Sequence, residues 1–191
     1  MNRKKRKEKR KKRYFIDAAK EIIEKEGVQR LRVKEVAELA GFAPGTLYNY
    51  FKNLDELLVN CVDDYWIECK DYVLAHINQD DAKTRIITAG KAYCEYFIDN
   101  PEIYQLIFIE DLSKIPEGIP EAVKLLIEQI KVGVRQNVIS EDEAKIIKNI
   151  LGNSIHGLIL FYNKKRTDSS KEEMLDIFEE EVEYLLESDR K

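Results

Sequence analysis

Between residues 43 and 52 the chain gathers side chains that hydrogen-bond outward: Thr46, Tyr48, Asn49, Tyr50 and Lys52, with Gly45 leaving a gap among them. Hydroxyls, an ammonium and a primary amide at this density suit base edges and phosphate oxygens. An asparagine amide can pair with both N6 and N7 of adenine, while hydroxyl, phenol and lysine groups hold phosphates. On that logic Pro44, Gly45 and Asn49 are expected at base edges, and Thr46, Tyr48, Tyr50 and Lys52 at phosphates. Arg32, Lys34 and Ala43, just upstream, complete the expected contact set.

Such a strip works only if something holds it from behind. Val33, Val36, Ala37 and Ala40 fall at the i, i+3, i+4, i+7 spacing of a helix that buries one side. Gly41 is the residue type that most easily takes the left-handed turn ending a helix. Pro44 then has its ring pre-set for the first turn of a second helix, Pro44 to Phe51, which Leu47, Tyr50 and Phe51 can pin from one side. Two short helices around a tight turn, the second presented outward, is the arrangement that enters a DNA major groove.

The run from Tyr14 to Leu58, above all AGFAPGTLYNYF followed by DELL, resembles the N-terminal domain of TetR-type (TetR/AcrR) transcriptional regulators. The resemblance covers about a quarter of the chain. It implies an all-α protein with a three-helix helix-turn-helix DNA-binding domain followed by a helical ligand-binding and dimerisation domain. Three positions depart from the family pattern. Arg32 stands where a capping, phosphate-touching Thr is usual, Ala43 replaces a Ser, and Leu54 replaces a frequent Lys that Lys52 can substitute. Gly41 to Thr46 also faintly echoes a phosphate-cradling loop, but it lacks the lysine and follows a helix instead of a strand.

Charge is divided unevenly along the chain. Residues 1–54 hold 16 Lys and Arg against 7 Asp and Glu, whereas residues 55–191 hold 16 against 29, so the overall −4 conceals a basic end and an acidic one. One end attracts polyanions and the other repels them. Most of the basic excess lies in residues 1–13, expected to be a self-repelling arm, unfolded or only partly helical, that neutralises phosphates or slips into a minor groove.

The 44% hydrophobic content can bury a proper core, and 36% charged residues suit a helical protein. The longest apolar run, Ile155 to Tyr162, falls well short of the roughly 20 residues that span a bilayer, and no apolar stretch follows the basic start. Three cysteines without a CxxC read as reduced, buried and cytoplasmic. No metal spacing, nucleotide loop or nucleophile–His–acid arrangement stands out, so neither a cofactor nor an enzyme activity is expected.

The periodicity predicts about nine helices and no strand. After a bracing helix from about Lys12 to Glu26 and the two reader helices, a connecting helix runs from about Leu54 to Ile77, its buried arc including Cys69, Tyr72 and His76. Further helices are expected near 81–99, after Pro101, near 120–137, at 141–163 and from Ser170 to about Glu187, with a loop over 112–120. The domains are then a basic arm (1–13), a reader (14–53) and a ligand-binding and dimerisation domain (54–191). Abundant aromatics suggest a lined cavity, for which Cys69, Tyr72, His76, Tyr93, Phe97, Tyr104, Phe108 and His156 are the candidates. The helix 141–163 is apolar almost all round in its second half, which suits an isologous four-helix seam between two copies. Leu151, Ile155, Leu158, Ile159 and Tyr162, with Met174, Phe178, Val182 and Leu185, are the expected seam.

These readings converge on a homodimeric repressor that leaves a palindromic double-stranded DNA operator when a small apolar or amphipathic effector binds. The alternative is a nonspecific nucleic-acid-binding protein driven by the basic arm.

Overall fold

A computed structural model describes residues 3–78, 80–112 and 118–187, the side chain of Lys4 excepted. Among them the chain forms eight α-helices: α1 (Arg3–Glu26), α2 (Val33–Leu39), α3 (Leu54–His76), α4 (Ala82–Asp99), α5 (Pro101–Phe108), α6 (Glu121–Arg135), α7 (Glu141–Asn163) and α8 (Lys171–Leu186). Two 3-10 turns, Val28–Arg30 and Pro44–Asn49, complete the set, and no strand occurs among the described residues. The expected loop over 112–120 lies partly outside the described residues.

Two departures concern the N-terminal segment. Helix α1 begins at Arg3 instead of near Lys12, so the basic run continues the bracing helix without a break. The second reader element is a 3-10 turn and not an α-helix: the Thr46 amide reaches the carbonyl of Ala43 at 2.9 Å and that of Tyr50 the carbonyl of Leu47 at 2.9 Å. At six residues it is longer than the about three or four that most such turns reach.

The chain divides into two units: residues 1–65 with 102–118, and residues 66–101 with 119–191. In the first, the ring of Phe15 is fully buried and nearly every reader aromatic meets it. Its centroid lies 5.0 Å from Phe42, 5.7 Å from Tyr50 and 6.3 Å from Phe51. Ile16, Ala19, Ile22 and Ile23 extend this buried face of α1. Gly27 ends α1 with φ 84°, where a side chain would be strained and a Cβ would lie 2.8 Å from the Glu102 carboxylate. Gly41 has φ 78° and lets the Phe42 amide reach back to the Ala37 carbonyl at 2.8 Å, closing α2. Asn53 caps α3 by accepting from the Glu56 amide at 2.9 Å, and the Glu56 carboxylate accepts from the Lys52 amide at 2.7 Å.

In the second unit α4 is the central helix, packed by α6, α7 and α8. Ser140 with Glu143, and Ser170 with Glu173, form full capping boxes that start α7 and α8 where the sequence predicts them. A ladder of ion pairs sets α8 against α4. Lys83 meets Glu183 at 3.0 Å and Lys91 meets Glu179 at 2.6 Å, while Lys171 reaches back to Glu95 at 2.9 Å and Asp99 at 2.7 Å. Such half-exposed pairs contribute little stability each, so their use is to fix register. No helix among the described residues is long and apolar enough to cross a membrane.

Candidate nucleic-acid interface and effector cavity

A 3-10 turn has three residues per turn, so positions three apart eclipse and the element has three faces. Leu47 and Tyr50 share the inward face: Leu47 is fully buried and Tyr50 half-buried against Phe15. Pro44, at the start of that row, is exposed. Gly45 and Tyr48 share a second face and are both exposed, Tyr48 at 57%. On the third face Asn49 is exposed and Thr46 half-buried. The tighter winding therefore still turns Gly45, Tyr48 and Asn49 to the outside, with Ala43 and Lys52 exposed on either flank. No atom lies within 4 Å of where a Gly45 Cβ would be, so a neighbouring molecule can come close to the backbone there.

The upstream cations are placed differently. Lys34 is exposed and 3.9 Å from Glu38 one turn on, leaving its ammonium in solvent. The Arg32 guanidinium folds back, its Nη1 donating to the carbonyls of Gln29 and Leu31 at 2.9 Å each. No side chain caps α2, in keeping with Arg32 in place of a hydroxyl residue.

Residues 15–61 match the sequence profile of the bacterial regulatory proteins of the tetR family. This segment is similar to the DNA-binding domain of that family. The fatty acid metabolism regulator protein of Bacillus subtilis is 44% identical over 46 residues, which is 24% of this chain and 24% of that regulator. An uncharacterized HTH-type transcriptional regulator of Bacillus subtilis, YobS, is 20% identical over 151 residues, 79% of this chain and 78% of that one. A TetR-family transcriptional regulator from Rhodococcus sp. superposes with a TM-score of 0.72 at 18% identity, covering 92% of this chain and 98% of that one. The regulator FadR of Bacillus subtilis, solved in complex with stearoyl-CoA, gives 0.68 at 18% identity over 91% and 97%. At this identity the likeness establishes the fold alone, an all-helical one in which the helix-turn-helix segment precedes a larger helical unit.

That larger unit contains a cavity of about 260 Å³. It is bounded by Ile86, Ala89 and Gly90 of α4, by Val123, Leu126, Ile127 and Ile130 of α6, and by Leu151, Gly152 and Ile155 of α7, with Ile119 and Phe178 at its margin, and it is partly open to solvent. Among the described residues its lining is apolar apart from Lys148, an exposed residue at its edge. Space remains on the α7 side, where no atom lies within 4 Å of the place a Gly152 Cβ would take. Phe178 sits so close over Gly90 that a Cβ there would lie 2.2 Å from its ring.

None of the eight residues expected to line a cavity borders this one. Tyr93, Tyr96, Phe97 and Trp66 pack on one another, with ring centroids 4.9 Å (Tyr93–Phe97), 5.1 Å (Tyr96–Phe97) and 5.9 Å (Trp66–Phe97) apart. Aromatic rings at these distances fill space and leave no hollow. Cys69 is buried, and Tyr72 is half-buried with its hydroxyl donating to Glu95 at 3.0 Å. His76, expected on a buried arc, is exposed at the end of α3, its Nδ1 2.8 Å from the Tyr72 carbonyl one turn back. Tyr104 and Phe108 stack at 4.8 Å in the first unit, not the second. His156 is half-buried, its ring edge-on to Tyr93, and burial holds its pKa below the ordinary 6.5. Cys61, Cys69 and Cys94 are all free and buried, and burial pushes the Cys94 thiol up to about 12.

The helices of the expected seam are also rotated from the expected register. Leu151, Ile155, Ile159, Met174, Phe178, Val182 and Leu185 are buried inside the single chain, and Leu158 and Tyr162 are half-buried. The apolar surface that α7 leaves open is carried instead by Ile146, Ile150 and Phe161, with Gly157 in the same row, and on α8 by Ile177 and Tyr184. The residue that signals this is Phe161, 55% exposed on a helix the sequence reads as apolar all round.

Proposed function

We propose that the chain is a ligand-responsive, DNA-binding transcriptional regulator that acts as a homodimeric repressor. The outward presentation of Gly45, Tyr48 and Asn49, on a turn fixed from behind by Leu47 and Phe15, carries this reading. A TetR-type segment, the basic N-terminal half and the fold of known regulators agree with it. Asn49 would read adenine, Pro44 and Gly45 would lie at base edges, and Thr46, Tyr48, Tyr50 and Lys52 would meet phosphates. Replacing Asn49 by Ala should relax the sequence preference by about 1–3 kcal/mol at one operator position. Fragments selected from the native genome, compared between wild type and N49A, test this, and an unchanged preference would refute the assignment.

In this reading the second copy covers the open face of α7 and α8, around Ile150, Phe161 and Ile177, in an isologous seam. The two reader turns must then sit about 34–36 Å apart to meet successive major grooves. Phe161→Glu should leave a monomer in light scattering, whereas Leu151→Glu should simply unfold the unit.

The effector is an amphipathic molecule with an apolar chain in the cavity and an anionic group at Lys148. A structural relative with stearoyl-CoA bound supports a fatty acyl class. Binding one of two reader spacings more tightly would release the operator by that difference in affinity. Long-chain fatty acid and acyl-CoA added to the DNA complex should each be tried. Indifference of DNA affinity to both would remove this assignment.

A further inference from the structure

The N-terminal stretch of α1 contributes no described side chain to the buried core. From Arg3 to Lys12 every described side chain is exposed or half-exposed and none is apolar. Nine of these ten residues are Lys or Arg, against Glu8. The first turn of α1 contains no acidic residue, so its cations oppose the helix macrodipole and one another. Arg3, Arg6, Lys7 and Arg10, at i, i+3, i+4 and i+7, surround one recess on a single helix face. A helix with this charge pattern needs an anion partner to be stable.

Its root is tied to both ends of the reader turn. The Lys11 ammonium lies 5.6 Å from the centroid of Phe42, just before Pro44, and that of Lys12 lies 5.2 Å from Phe51, just after Tyr50. The unbroken helix therefore has a fixed direction relative to the reader. At 1.5 Å per residue it extends roughly 14 Å, the axial length of about four base pairs.

We propose that residues 3–12 form a helical arm that docks on the phosphates of duplex DNA flanking the site read by Asn49, and that the duplex completes its helix. This rests on the DNA-binding reading above and adds a second contact to it. The partner's chemistry follows from what the arm lacks. No aromatic residue is present to stack unpaired bases, which argues against single strands, and no apolar residue is present to enter a bilayer.

The test compares the full-length protein with R3Q/R6Q/K7Q/R10Q, which touches no buried residue and should melt at the wild-type temperature. Two duplex probes are used, a fragment selected from the genome and a random-sequence duplex, with single-stranded RNA as the control. For each duplex, the slope of log affinity against log salt should shrink by roughly 3.6 per chain, about 0.9 for each phosphate that the variant no longer neutralises. The footprint on the selected fragment should shorten at its outer ends, and the duplex-induced gain in helical circular dichroism should fall. An unchanged slope and footprint would overturn the proposal, as would an equal loss of slope on single-stranded RNA. Should the wild type prefer no sequence while the slope still falls on both duplexes, the reader assignment fails and the arm stands.

Discussion

The reader turn is a six-residue 3-10 element and the cavity is built from α-helices of 15 to 23 residues, and they divide labour in opposite ways. In the reader, stability rests on Leu47 and Phe15 while contact groups such as Tyr48 and Asn49 face solvent. In the cavity the lining is itself the core: Leu151, Ile155, Ile130 and Phe178 hold α4, α6, α7 and α8 together and also shape the hollow. The first arrangement lets specificity change without touching the fold. The second couples any change of ligand to a change in packing, because removing a lining group both enlarges the hollow and takes away the packing it supplied.

The largest effect should come from Phe178→Ala. Phe178 is 1% exposed, and its ring covers Gly90. Its loss should cost about 3–5 kcal/mol in urea unfolding, and the cavity should accept a longer or bulkier apolar chain. If F178A changes chain-length preference with no loss of stability, the cavity lining is not core and the comparison collapses. The reader offers a sharper contrast between adjacent residues. Leu47→Ala should cost about 2–5 kcal/mol of stability and weaken DNA binding with it. Tyr48→Ala, one residue on, should stay within about 0.5 kcal/mol of wild type in stability and weaken DNA binding alone. Equal stability losses at 47 and 48 would show that the two faces of the turn are not separate.

The same division explains what the sequence discloses. The reader is local: its start, stop and pinning residues lie within one short window, so Gly41, Pro44 and Leu47 mark it unaided. The two capping boxes that start α7 and α8 are equally local, and the helix boundaries there follow the sequence closely. The cavity is not local. It forms where Gly90, Gly152 and the aliphatic row Val123, Ile127, Ile130 meet, on three different helices, and no single helix carries its signature. Aromatic abundance points elsewhere, because rings that pack on one another are core. The α7 face fails for a related reason: a helix apolar on every side gives periodicity no way to say which side meets its own chain. The 3-10 winding of the reader is hidden too, since six residues led by proline fit either helix. The start of α1 at Arg3 runs against local charge repulsion, which favours an unfolded tail.

The smallest expected effect concerns pH. His156 lies in α7 beside Tyr93, away from solvent on most of its surface, and desolvation disfavours its charged form. In the unfolded chain it should titrate near the ordinary 6.5, and in the folded unit below that. As pH falls through 6.5 the unfolded state takes up the proton first, so the fold loses stability from there down to the folded value and loses no more below it. The ceiling for one proton is about 1.4 kcal/mol per pH unit. Glu95 titrates in another window: hydrogen bonding from the Lys171 ammonium keeps its carboxylate below the usual range, so its contribution is lost only at more acid pH. Unfolding measured between pH 7.5 and 5.5 therefore isolates the histidine. His156→Gln should flatten the decline in that interval and leave the more acid limb in place. A decline of the same steepness in H156Q would assign the proton to another group, and the α7 side of the unit would then be no more sensitive to acid than the reader.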